Sequence, residues 1–291
     1  GVGFKPDLVW IKSRSNAQDH YAIDSNRGGT YLLRPNQTNA ESTATSWIDS
    51  FNSNGFTTNT SQLLSIGYNY VAWQWQAGQG VTSTNTNGSI TSTVSVNATA
   101  GFSIVTYTGT GANATVGHGL GVAPSFIIIK ARNAIDGWIV YHSAVGATQY
   151  LILNTTAAPG TSTSPWQNTA PSSTVISLGP ASNSNSNGQT AVAYCWAAVK
   201  GFSQFGSFVG NGSSDGPFVY CGFRPRYLII KSLSATALSD WEIYDNARDP
   251  YNIAQAYMPI NSNAESSVAN HDMLSNGFKI RFTNTTWNVS G

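Results

Sequence analysis

Residues 121–130 of this chain read GVAPSFIIIK, and this stretch decides the fold because variants of it stand at two other places. Residues 3–12 read GFKPDLVWIK, and residues 222–231 read GFRPRYLIIK. Each copy has a proline at its fourth position, an apolar run and a final lysine. A phrase that returns after about 100 residues is typical of a chain built from repeated units.

The apolar run of the phrase predicts a buried strand. Residues 126–129 and 227–230 are apolar without interruption, so both faces of the strand must be covered, as in the middle of a sandwich. The proline precedes the strand, where a missing N–H is tolerated. We expect the final lysine to lay its stem on apolar surface and to keep its ammonium group in water.

Short alternating segments rich in Val, Ile, Thr and Tyr follow one another along the chain, and no segment keeps a helical period. Residues 102–108 predict an opening strand, followed by Gly109 and Gly111, and residues 202–209 repeat it before Gly210 and Gly212. Paired glycines between strands favour a bulged hairpin turn. We therefore predict an all-β fold of tandem, jelly-roll-like β-sandwich repeats.

The repeats divide the chain as follows. Residues 1–79 form a first repeat that lacks its opening strand, and residues 101–200 form a complete second repeat. Residues 201–291 form a third repeat that lacks its closing strand. Residues 80–100 are so rich in Thr, Ser, Asn and Gly that they predict either a polar linker or an edge strand. We expect the chain to be a segment of a longer protein.

Composition argues against several classes of partner. Charged residues make up 9% of the chain and the formal net charge is +1, without a basic cluster, so we expect no binding to nucleic acid. No apolar stretch approaches the roughly 20 residues that a membrane-spanning helix needs, so we expect no membrane insertion. Cys195 and Cys221 allow a bridge between repeats, although free thiols are the favoured state.

The carboxylates are too few for a repeated hydrolase. The chain has 13 Asp and Glu residues together, and Asp136 is the sole carboxylate between positions 101 and 200, whereas a glycosidase needs two. The histidines do not have metal-ligand spacing, and no nucleophile elbow is present. We predict no enzymatic activity, no metal and no cofactor. Glu41 and Glu265 recur within the phrase Asn-Ala-Glu-Ser, and for them a turn or surface hydrogen bond is favoured over catalysis.

Two pairs of opposite charge recur at the same spacing, Asp24 with Arg27 and Asp245 with Arg248. The second repeat has His142 and Val145 at these places, so both members of the pair are lost together. Joint loss is the behaviour of a structural ion pair, and we favour that role over ligand binding.

The tryptophans fall into two groups. Four lie inside apolar strand patterns and are expected in the core: Trp10, Trp73, Trp138 and Trp241. Three lie in polar loops and are candidates for ligand binding: Trp47, Trp166 and Trp287. The face of an indole ring in such a loop suits stacking on a sugar.

A longer pattern surrounds the central phrase. Residues 101–109 (GFSIVTYTG) precede residues 115–124 (TVGHGLGVAP), and residues 240–248 carry Asp-Trp-x-x-Tyr-Asp-x-x-Arg. The pattern resembles a repeat found in large virion proteins of marine bacteriophages, which are often labelled tail fibre or tail protein. The second repeat departs from this pattern because it lacks the Asp/Arg pair and the Glu.

The resemblance implies a virion structural protein at the surface of an extracellular particle. Its leading form is a tail-fibre or adsorption segment that binds a host-surface glycan or outer-membrane protein. The alternative is a capsid decoration or filament spacer with a purely structural packing role. Expected partners are other virion proteins and further copies of the chain, as a homotrimer in the case of a fibre.

Overall fold

The computed structural model describes residues 1–58, 64–234, 239–260, 265–267, 270–283 and 288–290. Every regular element in these ranges is a β-strand, so the expected all-β, sandwich-like class is confirmed. No helix in the described part of the chain has the length and apolarity needed to cross a membrane. We refer to residues 1–79, 80–200 and 201–291 as segments 1, 2 and 3.

Segment 1 contains a three-stranded antiparallel sheet in the order β2-β1-β7 and two small hairpins, β3-β4 and β5-β6. The hairpin β5-β6 turns next to Gly55, which has a φ of 128°. The strands are β1 (Leu8–Ser13), β2 (Tyr21–Asp24), β3 (Tyr31–Leu32), β4 (Ser42–Thr43), β5 (Ile48–Asn52), β6 (Gly55–Thr58) and β7 (Tyr70–Trp75).

Segment 2 holds an eight-stranded antiparallel sheet in the order β15-β14-β13-β12-β17-β10-β9-β8, with a second pair, β11-β16. Residues 80–100 contribute β8 and β9 to this sheet, so the edge-strand alternative is correct and the linker alternative is wrong. The strands are β8 (Ser83–Asn85), β9 (Ser92–Asn97), β10 (Phe102–Thr108), β11 (Ala114–Gly117), β12 (Phe126–Ala131), β13 (Ile139–His142), β14 (Gln149–Ile152), β15 (Gly160–Thr161), β16 (Val175–Leu178) and β17 (Thr190–Trp196).

Segment 3 holds two three-stranded sheets, in the orders β18-β23-β22 and β19-β20-β21. Its strands are β18 (Phe218–Tyr220), β19 (Tyr227–Ile230), β20 (Glu242–Asp245), β21 (Met258–Pro259), β22 (His271–Leu274) and β23 (Gly277–Ile280). Residues 202–209 were expected to form an opening strand but have no strand structure. Their counterpart β10 is held between β17 and β9, and residues 202–209 have no such neighbours among the described strands.

The three copies of the starting phrase lie on β1, β12 and β19. Strands β1 and β12 are buried along their whole length, because each has an antiparallel neighbour on both sides. These two strands agree with the predicted interior position. Strand β19 pairs only with β20 among the described residues, and three of its four residues are only half-buried.

One hydrophobic core joins the segments. A single cluster of buried side chains contains Trp10 and Trp73 of segment 1, Phe126 and Trp138 of segment 2, and Trp241 of segment 3. The four tryptophans of this set are those that the strand pattern places in the core, as expected. The segments therefore share one apolar core and are not independently folded domains joined by linkers.

The Gly-x-Gly sequence between β10 and β11 is not a hairpin turn, because β10 pairs with β17 whereas β11 pairs with β16. Asn185 holds the turn through its side chain, which accepts from the amide of Thr110 (2.9 Å) and donates to Ala112 O (2.7 Å). Gly111 has a φ of 72°, and a Cβ atom on Gly109 would lie 2.4 Å from Ser186 O. Gly109 is required because a side chain would clash with the backbone of Ser186, and Gly111 is required because its backbone has a positive φ.

Candidate functional site

The junction between segments 1 and 2 is built around a buried pair of opposite charges. Strand β2 ends at Asp24, whose Oδ1 accepts from the Arg27 amide at 2.9 Å and whose Oδ2 pairs with Arg27 Nε at 2.6 Å. Both side chains are fully buried. The turn after β2 therefore positions Arg27, and the predicted ion pair forms.

Two residues of segment 2 and one more of segment 1 complete this junction. The Tyr194 hydroxyl on β17 donates to Asp24 Oδ2 at 2.7 Å and accepts from Arg27 Nη2 at 3.1 Å. Glu41 lies between Arg27 Nη1 (2.7 Å) and Arg132 Nη2 (2.8 Å). Two carboxylates thus face two guanidinium groups, and the group of four is electrically neutral.

Burial and the neighbouring charges shift the ionisation of Arg27 and Tyr194 in this junction. Burial opposes the charge of Arg27, but the neighbouring carboxylates of Asp24 and Glu41 raise its pKa above the ordinary value. Burial raises the pKa of Tyr194 far above its usual range. Neither Arg27 nor Tyr194 is therefore poised to exchange a proton near neutral pH.

The junction between segments 3 and 1 repeats the arrangement. Arg248 Nε pairs with Asp245 Oδ2 at 2.7 Å, and Glu265 lies 3.0 Å from both Arg248 Nη1 and Arg14 Nε. Trp73 on β7 donates its indole hydrogen to Asp245 Oδ2 at 3.0 Å, at the position that Tyr194 has on β17. The second predicted ion pair forms, and it lies in the same type of neutral group of four.

Among the described residues, the junction between segments 2 and 3 has no such group. Where segments 1 and 3 have the Asp/Arg pair, segment 2 has His142 and Val145. Where segments 1 and 2 have Arg14 and Arg132, segment 3 has Leu233. The ring of Phe205 lies 6.0 Å from Phe126 and 6.5 Å from His142. The loss of the Asp/Arg pair from segment 2, noted in the sequence, is matched by loss of the partner arginine from segment 3. At this junction, packing of the Phe205 ring against Phe126 and His142 stands where the other junctions have ion pairs.

Glu41 and Glu265 differ from the sequence-based interpretation. They are not in a turn or at an exposed hydrogen bond, because each bridges two arginines that belong to different segments. Sequence inspection missed this role because Arg14 and Arg132 lie in other segments, although both stand two residues after the phrase lysine.

The phrase lysines were expected to keep their ammonium groups in water, and that expectation is wrong for Lys12 and Lys130. Lys12 and Lys130 are fully buried, and their ammonium groups donate to backbone carbonyls. Lys130 reaches Thr38 O in segment 1 (3.1 Å), and Lys231 reaches Thr156 O in segment 2 (2.9 Å). Burial lowers the pKa of all three lysines to about 8.

A third set of contacts joins each segment to another. The residue immediately before β2, β13 and β20 donates a side-chain hydrogen to a backbone carbonyl of a different segment. These contacts are Trp138 Nε1 to Arg34 O (2.9 Å), Trp241 Nε1 to Ile152 O (3.0 Å) and His20 Nε2 to Pro259 O (3.1 Å). Segment 2 therefore contacts segment 1, segment 3 contacts segment 2, and segment 1 contacts segment 3.

His20 is neutral in this arrangement. Its Nδ1 accepts the indole hydrogen of Trp10 at 2.9 Å, so its Nε2 carries the hydrogen donated to Pro259. Burial, together with the charges of Lys12 and Arg248, lowers the pKa of His20 to about 3. This histidine acts as a fixed hydrogen-bonding group.

The three tryptophans proposed for ligand binding, Trp47, Trp166 and Trp287, differ in how far the structure buries or describes them. Trp166 is buried in the core of segment 2 and packs edge-on to Tyr141 at 5.8 Å, so it presents no face to a ligand and that assignment is wrong. Its loop is polar in composition, but it folds back over β11 and β16. Trp47 is half-buried against the core of segment 1. Trp287 lies outside the described residues.

A large opening lies where segment 3 meets the other two. It has a volume of about 1660 Å³ and is lined by the exposed edge of β19, by residues 201–210 and by aromatic side chains of the shared core. Three of these core rings are Trp75, Phe126 and Tyr227. Several exposed apolar side chains stand around it, namely Phe202, Val209, Tyr220, Leu233 and Val289. We call this feature the aromatic opening.

The remaining chemical groups are dispersed. Cys195 is buried, Cys221 is half-buried, and both are free thiols. Burial raises the pKa of Cys195 to about 12. No group of three or more His, Cys, Asp or Glu side chains within the described ranges is placed to hold a metal ion.

Comparisons with known proteins bear on the whole chain. No curated protein and no solved structure matches it at a significant level. A family model described as a domain of unknown function (DUF7483) matches residues 1–291. Because that match covers the full length, the chain belongs to the DUF7483 family.

Proposed function

We propose that the protein is a non-enzymatic structural component of a bacteriophage particle, and that its three segments form one rigid body. The observation that carries the proposal is the use of charge. Four acidic residues recur between segments 1 and 3 and are each held by arginine at a junction: Asp24, Glu41, Asp245 and Glu265. A hydrolase would keep such carboxylates free for proton transfer, whereas in this chain they hold the segments together.

The pattern of residues 101–124 and 240–248 supports the assignment to a particle, through its resemblance to virion proteins. The aromatic opening supports a packing role within it, because a contiguous exposed apolar surface is typical of a surface that another protein covers. This combination favours the decoration or spacer role over adsorption. The expected ligand-binding tryptophans give less support to adsorption, since Trp166 is in the core.

Two experiments test the proposal. Particles of a phage that encodes the chain are purified and analysed by mass spectrometry and by electron microscopy with gold-labelled antibody. We expect the chain in the particle at a fixed stoichiometry, and its absence from purified particles would refute the proposal. Labelled protein is then mixed with host cells. Saturable binding that is inhibited by whole phage would show that the protein has an adsorption role and not a packing role.

A further inference from the structure

We propose that the three segments close into a ring with a single direction, and that faces matched in charge select this direction. One chain then has the form of a cyclic trimer, in which every segment binds both of the others. The inference concerns assembly within the chain, and it does not rest on the proposed function.

The first argument is that the three phrase strands surround one core. On each strand, alternate residues enter the core shared by the segments, and the residues between them enter a core that belongs to one segment. The residues toward the shared core are Leu8 and Trp10 on β1, Phe126 and Ile128 on β12, and Tyr227 and Ile229 on β19. Those toward the separate cores are Val9 and Ile11, Ile127 and Ile129, and Leu228 and Ile230. Three units therefore pack around a common centre, as subunits do in a cyclic trimer.

The second argument is that equivalent contacts run in the same direction around this centre. The side chain directly before β2, β13 or β20 donates to a backbone carbonyl of another segment, from segment 2 to 1, from 3 to 2 and from 1 to 3. The accepting residues are also equivalent, since each directly follows the residue that pairs with Ala22, Val140 or Ile243: they are Arg34, Ile152 and Pro259. Head-to-tail contacts that return to their starting point form a closed ring.

Each segment therefore has two different faces. We call the donor face the phrase lysine, the residue two places after it and the residue directly before β2, β13 or β20. We call the acceptor face the positions of Asp24, Arg27 and Glu41. The donor face of segment 2 meets the acceptor face of segment 1, where Arg132 lies 2.8 Å from Glu41. The donor face of segment 1 meets the acceptor face of segment 3 through Arg14 and Glu265.

The third argument is that the faces are matched in charge. Segment 1 has an arginine on its donor face and carboxylates on its acceptor face. Segment 2 has Arg132 on its donor face, but its acceptor face has no carboxylate and consists of His142, Val145 and Pro159, which precedes β15 as Glu41 precedes β4. Segment 3 has Leu233 at the arginine position and carboxylates on its acceptor face. In the observed ring, each of the two arginines meets carboxylates, and Leu233 belongs to the junction without them.

The opposite direction would break this matching at two of the three junctions. Arg14 would meet the acceptor face of segment 2, which has no carboxylate. Leu233 would meet the acceptor face of segment 1, so Asp24 and Glu41 would have Arg27 as their sole arginine and a buried negative charge would be in excess. A buried charge without a partner is unfavourable, and such mismatches exclude wrong pairings at natural interfaces. The charge pattern therefore selects the observed direction.

The ring also uses all of its faces. In the described part of the chain, every donor face contacts an acceptor-side segment of the same chain. A further copy can therefore join through these faces only if the ring opens.

The test measures coupling between arginines and glutamates in the full chain by double-mutant cycles, with urea denaturation as the readout. Arg132→Leu introduces the residue that segment 3 has at this position. We expect its cost in the unfolding equilibrium constant to fall by at least about threefold when Glu41→Gln is already present, because residues in contact couple. With Glu265→Gln the cost should change by less than about twofold, because that glutamate lies at another junction. Arg14→Leu is the matched control, and for it the roles of the two glutamates are exchanged.

Hydrogen exchange of the single arginine variants gives a second readout that holds even where a double variant does not fold. Arg132→Leu should speed exchange by at least about threefold in the turn at residues 25–28, where Asp24 holds the Arg27 amide. Arg14→Leu should do the same at residues 246–249.

Three results would overturn the proposal: additive costs in all four cycles, coupling in the crossed cycles, or faster exchange in the opposite turn. A larger species of the wild-type chain in light scattering that dissociates on Arg132→Leu would overturn it too, because the faces would then pair between copies.

Discussion

The hydroxyl of Tyr194 donates a hydrogen bond to Asp24 Oδ2 at 2.7 Å, although 170 positions separate the two residues. The contact joins the closing strand of one segment to the charge pair of another. Trp73 makes the corresponding contact with Asp245 at 3.0 Å, with a different donor atom. The position of the donor is therefore kept while its chemistry changes, which indicates that the hydrogen bond to the carboxylate is the property that matters.

Replacing Tyr194 by phenylalanine should lower the free energy of unfolding by about 1–3 kcal/mol, because Asp24 loses a donor in a buried place. Urea denaturation followed by tryptophan fluorescence measures the change. Tyr251→Phe is the matched control, since Tyr251 is 82% exposed and should change stability by less than about 0.5 kcal/mol. Equal stability of the two variants would contradict the structural role of Tyr194.

Glu41→Gln should destabilise the protein by about 3–5 kcal/mol, because it leaves the fully buried Arg27 with one carboxylate partner in place of two. The comparison variant is Asp215→Asn. The Asp215 side chain is 77% exposed beside Lys279 and Arg281, so solvent screens its ion pairs and the substitution should change stability little. Urea denaturation midpoints measure the loss of stability in the two variants. A smaller loss for Glu41→Gln than for Asp215→Asn would show that the junction network does not stabilise the fold.

Lys130 should make stability rise with pH on the alkaline side. Burial lowers its pKa from 10.5 to about 8, so between these values the unfolded chain binds the proton and the folded chain does not. The free energy of unfolding therefore increases as pH rises through this window. Lys130→Met should reduce the increase, whereas Lys200→Met, at an exposed position, should leave it unchanged. Denaturation curves at several alkaline pH values measure both slopes.

His20 should make stability fall on the acidic side. Burial lowers its pKa from 6.5 to about 3, so as pH falls between these values the unfolded chain takes up a proton that the folded chain excludes. His20→Gln keeps an acceptor for Trp10 and a donor for Pro259 but does not titrate. We expect its stability to decline less than that of the wild-type protein between neutral and mildly acidic pH. An identical decline would mean that His20 is not the titrating group.

Trp166→Ala should destabilise the protein by about 3–5 kcal/mol, since it empties a fully buried ring site. Trp47→Ala should cost less, because the Trp47 ring is only half-buried. Thermal unfolding followed by circular dichroism ranks the two variants. If Trp166→Ala kept full stability and lost binding to host cells, the ring would have a ligand-binding role after all.

Much of the fold follows from local sequence pattern. The uninterrupted apolar run on β12 predicts a strand with both faces covered, because this feature depends on neighbouring residues. The Asp-x-x-Arg pairs are local for the same reason: the aspartate caps the turn that carries the arginine. The expected hairpin at Gly109 and Gly111 is wrong because β10 and β11 pair with β17 and β16, two strands that come much later in the chain.

The sequence by itself determined the β class, the phrase strands and the two charge pairs, since each follows from residues within one turn or one strand. Only the tertiary structure decided the roles of Glu41, Glu265 and the phrase lysines. Their partners lie in other segments, so burial and charge neutralisation at these positions depend on how the segments pack. The exposed edge of β19 is decided in the same way, because an apolar strand looks alike in sequence whether its second neighbour is present or not.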